Sequence, residues 1–496
     1  MRLIPARPVK QLALIFFLSS SWSALPAATP VAAQSPAIQM APPAAGLPAF
    51  PAVVRKESPE EREARLKWFR EARFGLFIHW GVYAVTAGFW QGKPVAAEWI
   101  MHRGKIPVAD YQGFARDFTA AKYNPEAWAQ LAADAGIKYV VITAKHHDGF
   151  TLYDSAYSNW NAVKASGAKR DLLQPLADAV RAKGLKFGTY YSQSQDWVNP
   201  GGSKGTAQAW DDAQKGDFDQ YLAKISLPQV REILEKYHPD ILWWDTEYQM
   251  TPARARPFFD LVTADPHLLI NSRLGGGVLG DFRTSEQRIP ASAMLGRALE
   301  VNMTINNSWG YRSDDTHWKS SQQLIRNLSD IASKDGNYLL NVGPTAEGEI
   351  PAPEVERLLA MGRWLKTNGE AIYGTHGGPF TQPFAWGRTT QKSRPDGTTT
   401  LYLHLWDWPT AGKILLPGLK QAPRSGRLLA ADATVSSTVT TEGLLVNLPG
   451  AAPDPDVSVV ALDYAGPIQP VDTMALPVDT GASGTLADPS GATAPH

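Results

Sequence analysis

The chain has 496 residues, which is long enough for two or three domains with one of them large. Its 48 Lys and Arg residues balance its 48 Asp and Glu residues without a basic stripe, so nucleic acid and acidic membranes are poor candidates as partners. The sequence contains no cysteine, which excludes disulfides and thiolate chemistry.

The N-terminus has the pattern of an export signal. Basic residues precede a short apolar run from Leu12 to Leu18, and Val31-Ala32-Ala33 offers a cleavage site. This run is too short to span a bilayer and no later segment is long enough, so we expect no integral membrane segment in the mature chain. We therefore predict a signal peptide over residues 1–33 and an exported protein that is periplasmic or secreted.

The two ends of the mature chain are biased in composition. Residues 34–54 are rich in Ala and Pro, which predicts a flexible leader. Residues 466–496 are rich in Pro, Ala, Gly and Thr with few large apolar side chains, which predicts a disordered tail.

Between these ends, a helix, a glycine and a strand recur along the chain. Asn124 and Pro125 begin a helix, Gly136 ends it, and a strand follows from Ile137 to Thr143. Further predicted elements are the helix Asp171–Lys183 and the strand Leu185–Tyr191 around Gly184, the strand Ile241–Asp245 after His238-Pro239, and the strands Phe74–Ile78, Leu268–Asn271, Val301–Ile305 and Tyr338–Val342.

Strands that alternate with helices predict right-handed crossovers and a parallel sheet. About seven or eight such units fit an α/β fold, a parallel (β/α) TIM-like barrel, with room for an irregular element. We assign this barrel to residues 55–374. An open doubly wound sheet is the alternative, but no glycine-rich phosphate loop supports it.

The pattern changes after about residue 375. Short apolar strands at Leu401–Leu405, Ile414–Leu416 and Val457–Leu462 are separated by turns with Pro and Gly. This spacing predicts an antiparallel β-sandwich over residues 375–465. Such a domain usually packs on the barrel and only sometimes binds carbohydrate.

Asp245 ends the apolar run that begins at Ile241, and it is the first candidate for a functional residue. Side chains at the carboxyl ends of barrel strands line the active site, although an isolated Asp at such a position can equally cap the next helix. The other polar residues at or near the ends of apolar runs favour a site: His79, His146, His147, Tyr191, Arg273 and Glu300.

Six segments in chain order carry a family resemblance: Arg73–Gly81 (RFGLFIHWG), Lys145–Phe150 (KHHDGF), Tyr190–Ser192 (YYS), Trp243–Asp245 (WWD), Gly280–Glu286 (GDFRTSE) and Asn307–Tyr311 (NSWGY). They resemble the retaining α-L-fucosidases, glycoside hydrolase family 29, across roughly residues 55–465. The resemblance implies an exo-acting enzyme that removes terminal α-L-fucose from oligosaccharides or glycoconjugates without a cofactor. Composition and spacing alone do not specify fucose.

Glycosidic bond cleavage needs two carboxyl groups, and a separation of about 5–5.5 Å leads to retention through a covalent intermediate whereas a wider one leads to inversion. By the resemblance, Asp245 is the nucleophile. Glu286 lies in the segment similar to the family pattern Asp-Phe-x-Thr-x-Glu, in a predicted loop after the strand that ends near Asn271, and we predict that it is the acid/base. Glu300, before the next predicted strand, is the first alternative, although Leu299 stands where the family usually has Trp. Glu98, which also matches a family site position, is the second. Each Glu can instead be a solvated loop residue or a partner of Arg273.

The remaining site predictions concern substrate contacts. Adjacent residues on a strand point to opposite faces, so Trp243 lies on the side of Asp245 and is assigned to sugar contact, whereas Trp244 is not. By the resemblance, the histidines bind sugar hydroxyls, Tyr191 and Arg273 orient the nucleophile or bind hydroxyls, and Trp309 faces the methyl group of a 6-deoxy sugar. The predicted substrate-binding set is His79, Glu98, Trp99, His146, His147, Tyr191, Trp243, Arg273 and Trp309.

Two other functional classes stay open. His146, His147, Asp148 and His79 are residue types that a metal-dependent barrel hydrolase uses. Adjacent histidines on a strand diverge, however, and no His-x-His or Glu-x-x-His spacing is present among them, so we predict no metal. The third class is a sugar-binding protein with an inactive site, which the carboxylates oppose.

Overall fold

The computed structural model describes residues 50–202, 209–293, 297–431 and 433–471. The predicted signal peptide, most of the predicted leader and most of the predicted tail lie outside these residues. Across the described ranges, no helix combines the length and the apolar character needed to cross a membrane.

The helices are α1 Pro59–Ala72, α2 Tyr83–Thr86, α3 Ile100–Arg103, α4 Val108–Gly113, α5 Pro125–Asp134, α6 Leu173–Ala182, α7 Phe218–Tyr221, α8 Leu227–Tyr237, α9 Pro252–Thr263, α10 Ser321–Ala332 and α11 Ala352–Asn368. The strands are β1 Phe74–Ile78, β2 Phe89–Trp90, β3 Lys93–Pro94, β4 Tyr139–Lys145, β5 Lys186–Ser192, β6 Ile241–Asp245, β7 Leu269–Ile270, β8 Phe282–Glu286, β9 Ala298–Thr304, β10 Gly336–Val342, β11 His376–Gly377, β12 Gly387–Ser393, β13 Thr399–Leu405, β14 Lys413–Pro417, β15 Ser425–Leu428, β16 Ala433–Thr434, β17 Ser436–Val439, β18 Gly443–Asn447 and β19 Ser458–Tyr464.

Eight parallel strands form the predicted barrel, which is confirmed. Their order is β7-β6-β5-β4-β1-β10-β9-β8, and a bridge between Asn271 and Phe282 joins the two outer strands. Local chemistry sets the helix ends as expected: the Asn124 side chain caps α5, and Gly136 follows that helix at φ 81°. After α8, His238 takes the left-handed conformation at φ 43° in place of glycine.

Strand β8 was not predicted as a strand. Its sequence contains one apolar residue, Phe282, and its last three residues are half-buried, so it lacks the continuous apolar pattern of the other barrel strands. Glu286 therefore ends a strand, and the prediction that it lies in a loop is wrong. Glu300 also differs from the prediction, because β9 begins at Ala298 and includes it.

Helix α1 fills the amino-terminal end of the barrel. Leu66 and Phe69 are fully buried among inward-facing side chains such as Phe77, and the Phe69 ring stacks on Phe282 with 4.6 Å between centroids. Apolar side chains therefore close this end of the barrel.

Two antiparallel sheets follow the barrel, as predicted. One contains β11-β12-β13-β19-β15-β16 and the other contains β14-β18-β17, and a separate apolar core lies between them. The sandwich contacts α10 and α11: Trp364 Nε1 donates to the carbonyl of Val457 at 2.8 Å, and Arg388 Nε donates to Asp330 at 2.6 Å. These contacts fix the sandwich against the barrel.

Strand-type pairing is present a few residues beyond both predicted boundaries. Val53, assigned to the leader, forms a parallel bridge with Val278. Val471, assigned to the tail, forms a bridge with Phe380 in the sandwich. Backbone pairing therefore reaches one residue of the segment assigned to the leader and one residue of the segment assigned to the tail.

Candidate active site

The predicted site residues gather at the carboxyl ends of the barrel strands. Asp245 ends β6 and Glu286 ends β8, while His79 directly follows β1. Arg273 lies between β7 and β8. Parallel strands bring these ends to one face of the barrel, opposite the end that α1 fills.

Arg273 joins the two candidate carboxylates. Its Nη1 donates to Asp245 Oδ1 at 2.9 Å, its Nη2 donates to Glu286 Oε2 at 2.9 Å, and its Nε donates to Thr284 at 2.8 Å. Burial lowers the pKa of Arg273, but Glu286 and Asp245 more than offset this and raise its pKa above the ordinary value. A charged guanidinium therefore holds both carboxylates at one place.

Asp245 has further donors around it. Tyr190 donates its hydroxyl to Oδ2 at 2.8 Å, and His147 Nε2 lies 3.5 Å from the same oxygen. Gln193 is fully buried and forms hydrogen bonds to the main chain of two site residues. Its Oε1 accepts from the Asp245 N–H at 3.1 Å, and its Nε2 donates to the Arg273 carbonyl at 2.8 Å. The carboxylate is thus oriented from both its side chain and its backbone.

Glu286 and Glu300 have different environments. The Glu286 side chain is 26% exposed, and its Oε1 has no protein partner within the described residues. Glu300 is fully buried and accepts from Tyr139 at 2.6 Å and from Trp243 Nε1 at 2.7 Å. Burial raises the pKa of Glu300 to about 7. Of these two glutamates, Glu286 is the one whose carboxyl group is exposed to solvent.

Tyr191 is fully buried away from Asp245, and the prediction that it orients the nucleophile or binds sugar hydroxyls is wrong. Its hydroxyl donates to Gln229 at 2.8 Å and lies 3.3 Å from the Ser226 carbonyl, on the outer side of β5. Tyr190, one residue earlier, faces the barrel interior and makes the contact with Asp245. A one-residue change on a strand moves a side chain to the other face.

Trp243 lies on the side of Asp245, but it is only 1% exposed. Its ring stacks on Tyr190 at 5.7 Å between centroids, and the Arg273 guanidinium lies 4.9 Å from its ring centre. The assignment of Trp243 to sugar contact is therefore corrected: the indole forms the floor beneath Arg273.

The three predicted histidines form one cluster. The rings of His146 and His147 lie 4.1 Å apart, and His146 stacks on Tyr190 with 5.4 Å between centroids. His79 lies 5.6 Å from His146. Adjacent histidines were expected to diverge, but both lie beyond the last residue of β4 and face the same space. Burial lowers the pKa of His79 to about 4, and it lowers the pKa of His146 and His147 well below the ordinary value. All three are neutral at pH 7.

Trp309, Glu98 and Trp99 form the walls near these histidines. The Trp309 ring is half-buried and lies 5.0 Å from His79, and the Trp99 ring lies 5.0 Å from His147. Glu98 is buried and accepts from the Gly310 N–H at 2.9 Å, and burial raises its pKa. Glu98 therefore holds the Trp309–Gly310 segment in place through the Gly310 N–H.

A metal centre would need several ligands that converge. Among the residues that the structure describes, no group of three or more His, Asp or Glu side chains has such an arrangement. His147 Nδ1 lies 2.7 Å from the Ser192 hydroxyl, and the buried His146 Nδ1 has no partner. The cluster presents ring nitrogens suited to hydrogen bonding.

Sequence reasoning missed three residues that position the site: Tyr190, Gln193 and Asn341. Asn341 lies 2.6 Å from His79 Nδ1 through its Oδ1. Tyr190 stands in the same motif as Tyr191. The sequence did not show which of these two adjacent tyrosines faces the interior of the barrel. Gln193 and Asn341 act through amides on backbone groups and a ring nitrogen, which no local sequence pattern reveals.

A family model described as Alpha-L-fucosidase matches residues 53–370. The chain belongs to the α-L-fucosidase family. This fucosidase-family chain is 36% identical over 380 residues to the plasma alpha-L-fucosidase of Rattus norvegicus, an alignment that covers 70% of this chain and 79% of the rat protein. It is therefore a glycoside hydrolase.

Solved fucosidases share the fold of this fucosidase-family chain. Alpha-L-fucosidase isoenzyme 1 from Paenibacillus thiaminolyticus is 36% identical with a TM-score of 0.71, over 81% of this chain and 99% of that chain. A family 29 alpha-L-fucosidase from Bacteroides thetaiotaomicron, solved as a trapped covalent intermediate with 2-fluoro-fucosyl fluoride, is 25% identical with a TM-score of 0.74, over 85% and 100% of the two chains.

Proposed function

We propose that this protein is an exported, exo-acting α-L-fucosidase that releases terminal α-L-fucose from oligosaccharides or glycoconjugates by retaining double displacement. The observation that carries the proposal is the Arg273 guanidinium, which binds Asp245 and Glu286 at the open end of the barrel. A shared guanidinium brings the two carboxyl groups to one side of the site, which supports a pair that acts on one anomeric carbon.

In the first step, an Asp245 carboxylate oxygen forms a bond to the anomeric carbon while the bond from that carbon to the leaving oxygen breaks. Glu286 gives its proton to the leaving oxygen. Arg273 and Tyr190 keep the Asp245 oxygens in place through the attack. The product of this step is a covalent fucosyl-enzyme.

In the second step, Glu286 removes a proton from water, the water oxygen bonds to the anomeric carbon, and the bond to Asp245 breaks. Two displacements on opposite faces return the original configuration. The partial exposure of Glu286 supports this role, because water and the leaving alcohol must both reach it. The trapped covalent intermediate of the Bacteroides thetaiotaomicron relative supports the same sequence of steps.

The neutral histidines and the aromatic walls support recognition of a single terminal sugar. Neutral imidazoles offer one donor and one acceptor each, which suits the hydroxyls of a sugar ring. Trp309 and Trp99 offer half-buried aromatic faces to its apolar surfaces. The wall of Trp309 is our candidate for contact with the methyl group of fucose.

The test is hydrolysis of an aryl α-L-fucoside and of α1,2-, α1,3- and α1,6-linked fucosides by the purified protein, followed by proton NMR. We expect the α-anomer of L-fucose as the first product, before mutarotation. First release of the β-anomer would contradict retention. Binding of fucose without hydrolysis of any substrate would instead favour an inactive sugar-binding protein.

Export is tested separately. N-terminal sequencing of the active protein from the periplasm or the medium should find a start near Gln34, after the small residues Val31 to Ala33. An intact Met1 on the active protein would contradict the proposed signal peptide.

A further inference from the structure

Asn341 lies in β10, next to His79 and Trp309 of the candidate active site. It is 1% exposed and is paired in register with Phe77 of β1 and Thr304 of β9. Its Oδ1 lies 2.6 Å from His79 Nδ1, and its Nδ2 donates to the carbonyl of Trp309 at 2.7 Å. One buried amide therefore contacts both His79 and Trp309.

These two contacts together determine the orientation of the Asn341 amide and the hydrogen in its contact with His79. The Trp309 carbonyl oxygen can only accept, so the amide atom that faces it is the NH₂ nitrogen. Oδ1 of Asn341 then faces His79, and because Oδ1 also can only accept, the hydrogen in that contact is on His79 Nδ1.

The second nitrogen of His79 follows from this assignment. Burial lowers the pKa of His79 to about 4, so the ring is neutral near pH 7 and has a single N–H. With that hydrogen on Nδ1, Nε2 has a free lone pair. In the described part of the chain, no protein group forms a hydrogen bond with Nε2.

We propose that Asn341 is a positioning residue that fixes His79 in the Nδ1–H tautomer, so that Nε2 accepts a hydrogen bond from one hydroxyl of the bound sugar. The sugar part of this inference rests on the proposed function, whereas the tautomer does not. The same amide holds the Trp309 carbonyl, while Glu98 holds the next N–H, at Gly310. Asn341 therefore also sets the distance between the hydroxyl acceptor and the aromatic wall.

The tautomer is tested by ¹⁵N NMR of the ligand-free protein with labelled histidine. The signal of His79 is identified as the one that disappears in a His79→Gln variant. We expect Nδ1 to be protonated and Nε2 to be unprotonated at pH 7. A hydrogen on Nε2 would overturn the proposal. This measurement needs neither an Asn341 variant nor activity.

The effect on substrate is tested with Asn341→Leu. Asn337→Leu is the matched control, because Asn337 lies on the same strand, is also 1% exposed and donates to the Phe69 carbonyl at 2.7 Å, at the closed end of the barrel. Both variants lose one buried amide. Thermal denaturation of both shows how much each loss affects stability.

Both variants are assayed with an aryl α-L-fucoside and with its monodeoxy analogues. We expect Asn341→Leu to lower kcat/KM on the parent fucoside by roughly 10- to 100-fold, the effect of one lost polar contact in a buried site. On the one analogue that lacks the hydroxyl bound by His79, the loss should nearly disappear. Asn337→Leu should change kcat/KM by the same factor on every analogue.

An equal loss across all analogues with Asn341→Leu would show that the residue is merely structural and would overturn the proposal. If the wild-type protein hydrolyses no aryl fucoside, the proposed function fails, and the NMR measurement alone decides the role of Asn341.

Discussion

Trp243 donates its indole N–H to Oε1 of Glu300 at 2.7 Å, beneath the guanidinium of Arg273. Tyr139 donates to the other oxygen of Glu300 at 2.6 Å, so both oxygens are occupied inside the barrel. Glu300, which sequence reasoning kept as an alternative acid/base, is thus a support for the floor of the site.

The buried position of Glu300 predicts a pH dependence of stability. Burial raises its pKa to about 7, above the ordinary 4.5, so the folded state holds this proton more tightly than the unfolded state. The stability that this proton contributes is complete below about pH 4.5 and is lost as the pH rises toward 7.

Glu300→Gln removes this titration with little change in shape. We expect the free energy of unfolding of the wild type, relative to the variant, to fall by on the order of 1–3 kcal/mol between pH 4.5 and 7 and then to level off. Urea denaturation at a series of pH values measures it. A difference that does not depend on pH would contradict the prediction.

The roles of the two catalytic candidates are separated by azide. Asp245→Gly should remove almost all turnover, and external azide that attacks from the vacated side of an activated α-fucoside should give the β-fucosyl azide, with inverted configuration. Glu286→Ala should still form the intermediate from activated aryl fucosides, and azide in the second step should give the α-fucosyl azide. NMR of the azides identifies each configuration.

Glu300→Gln is the control for these experiments and should keep turnover of natural fucosides. If Glu286→Ala keeps full activity on natural fucosides while Glu300→Gln loses it, Glu300 is the acid/base instead.

The adjacent tyrosines of β5 provide a matched pair. Tyr190→Phe removes the hydroxyl that donates to Asp245, and we expect kcat/KM to fall roughly 10- to 100-fold, because hydrogen bonds to charged groups contribute about 1.5–3 kcal/mol. Tyr191→Phe removes contacts to Gln229 and Ser226, and we expect a loss of about 1–2 kcal/mol of stability with kcat close to wild type.

Steady-state kinetics and thermal denaturation of both variants give the comparison. A larger loss of kcat in Tyr191→Phe than in Tyr190→Phe would show that the inward face of β5 is assigned incorrectly.

Activity should not depend on a metal. If the histidines at positions 79, 146 and 147 bind sugar hydroxyls, exhaustive chelation should leave kcat unchanged and elemental analysis should find no stoichiometric metal. A loss of activity after chelation that zinc or manganese restores would instead support a metal-dependent hydrolase.

Local patterns in the sequence were enough to predict most strands of the barrel. The apolar runs at Phe74–Ile78 and Ile241–Asp245 match β1 and β6 without a shift, because continuous apolar strands between punctuating residues are typical of a parallel sheet. Strand β8 escaped notice because polar residues form most of it, although its last residue, Glu286, was selected by its motif.

The chain by itself determined several of the polar residues that end the strands, because each of them stands next to its apolar run in the sequence: Asp245 in Trp-Trp-Asp, and His146 and His147 after β4. Only the tertiary structure decided which of two adjacent side chains faces inward, as with Tyr190 and Tyr191. A strand buried on both faces has no polar side to mark its orientation. The tertiary structure also brought together Arg273 with both carboxylates and Asn341 with His79 and Trp309, because such contacts join strands that lie far apart in sequence.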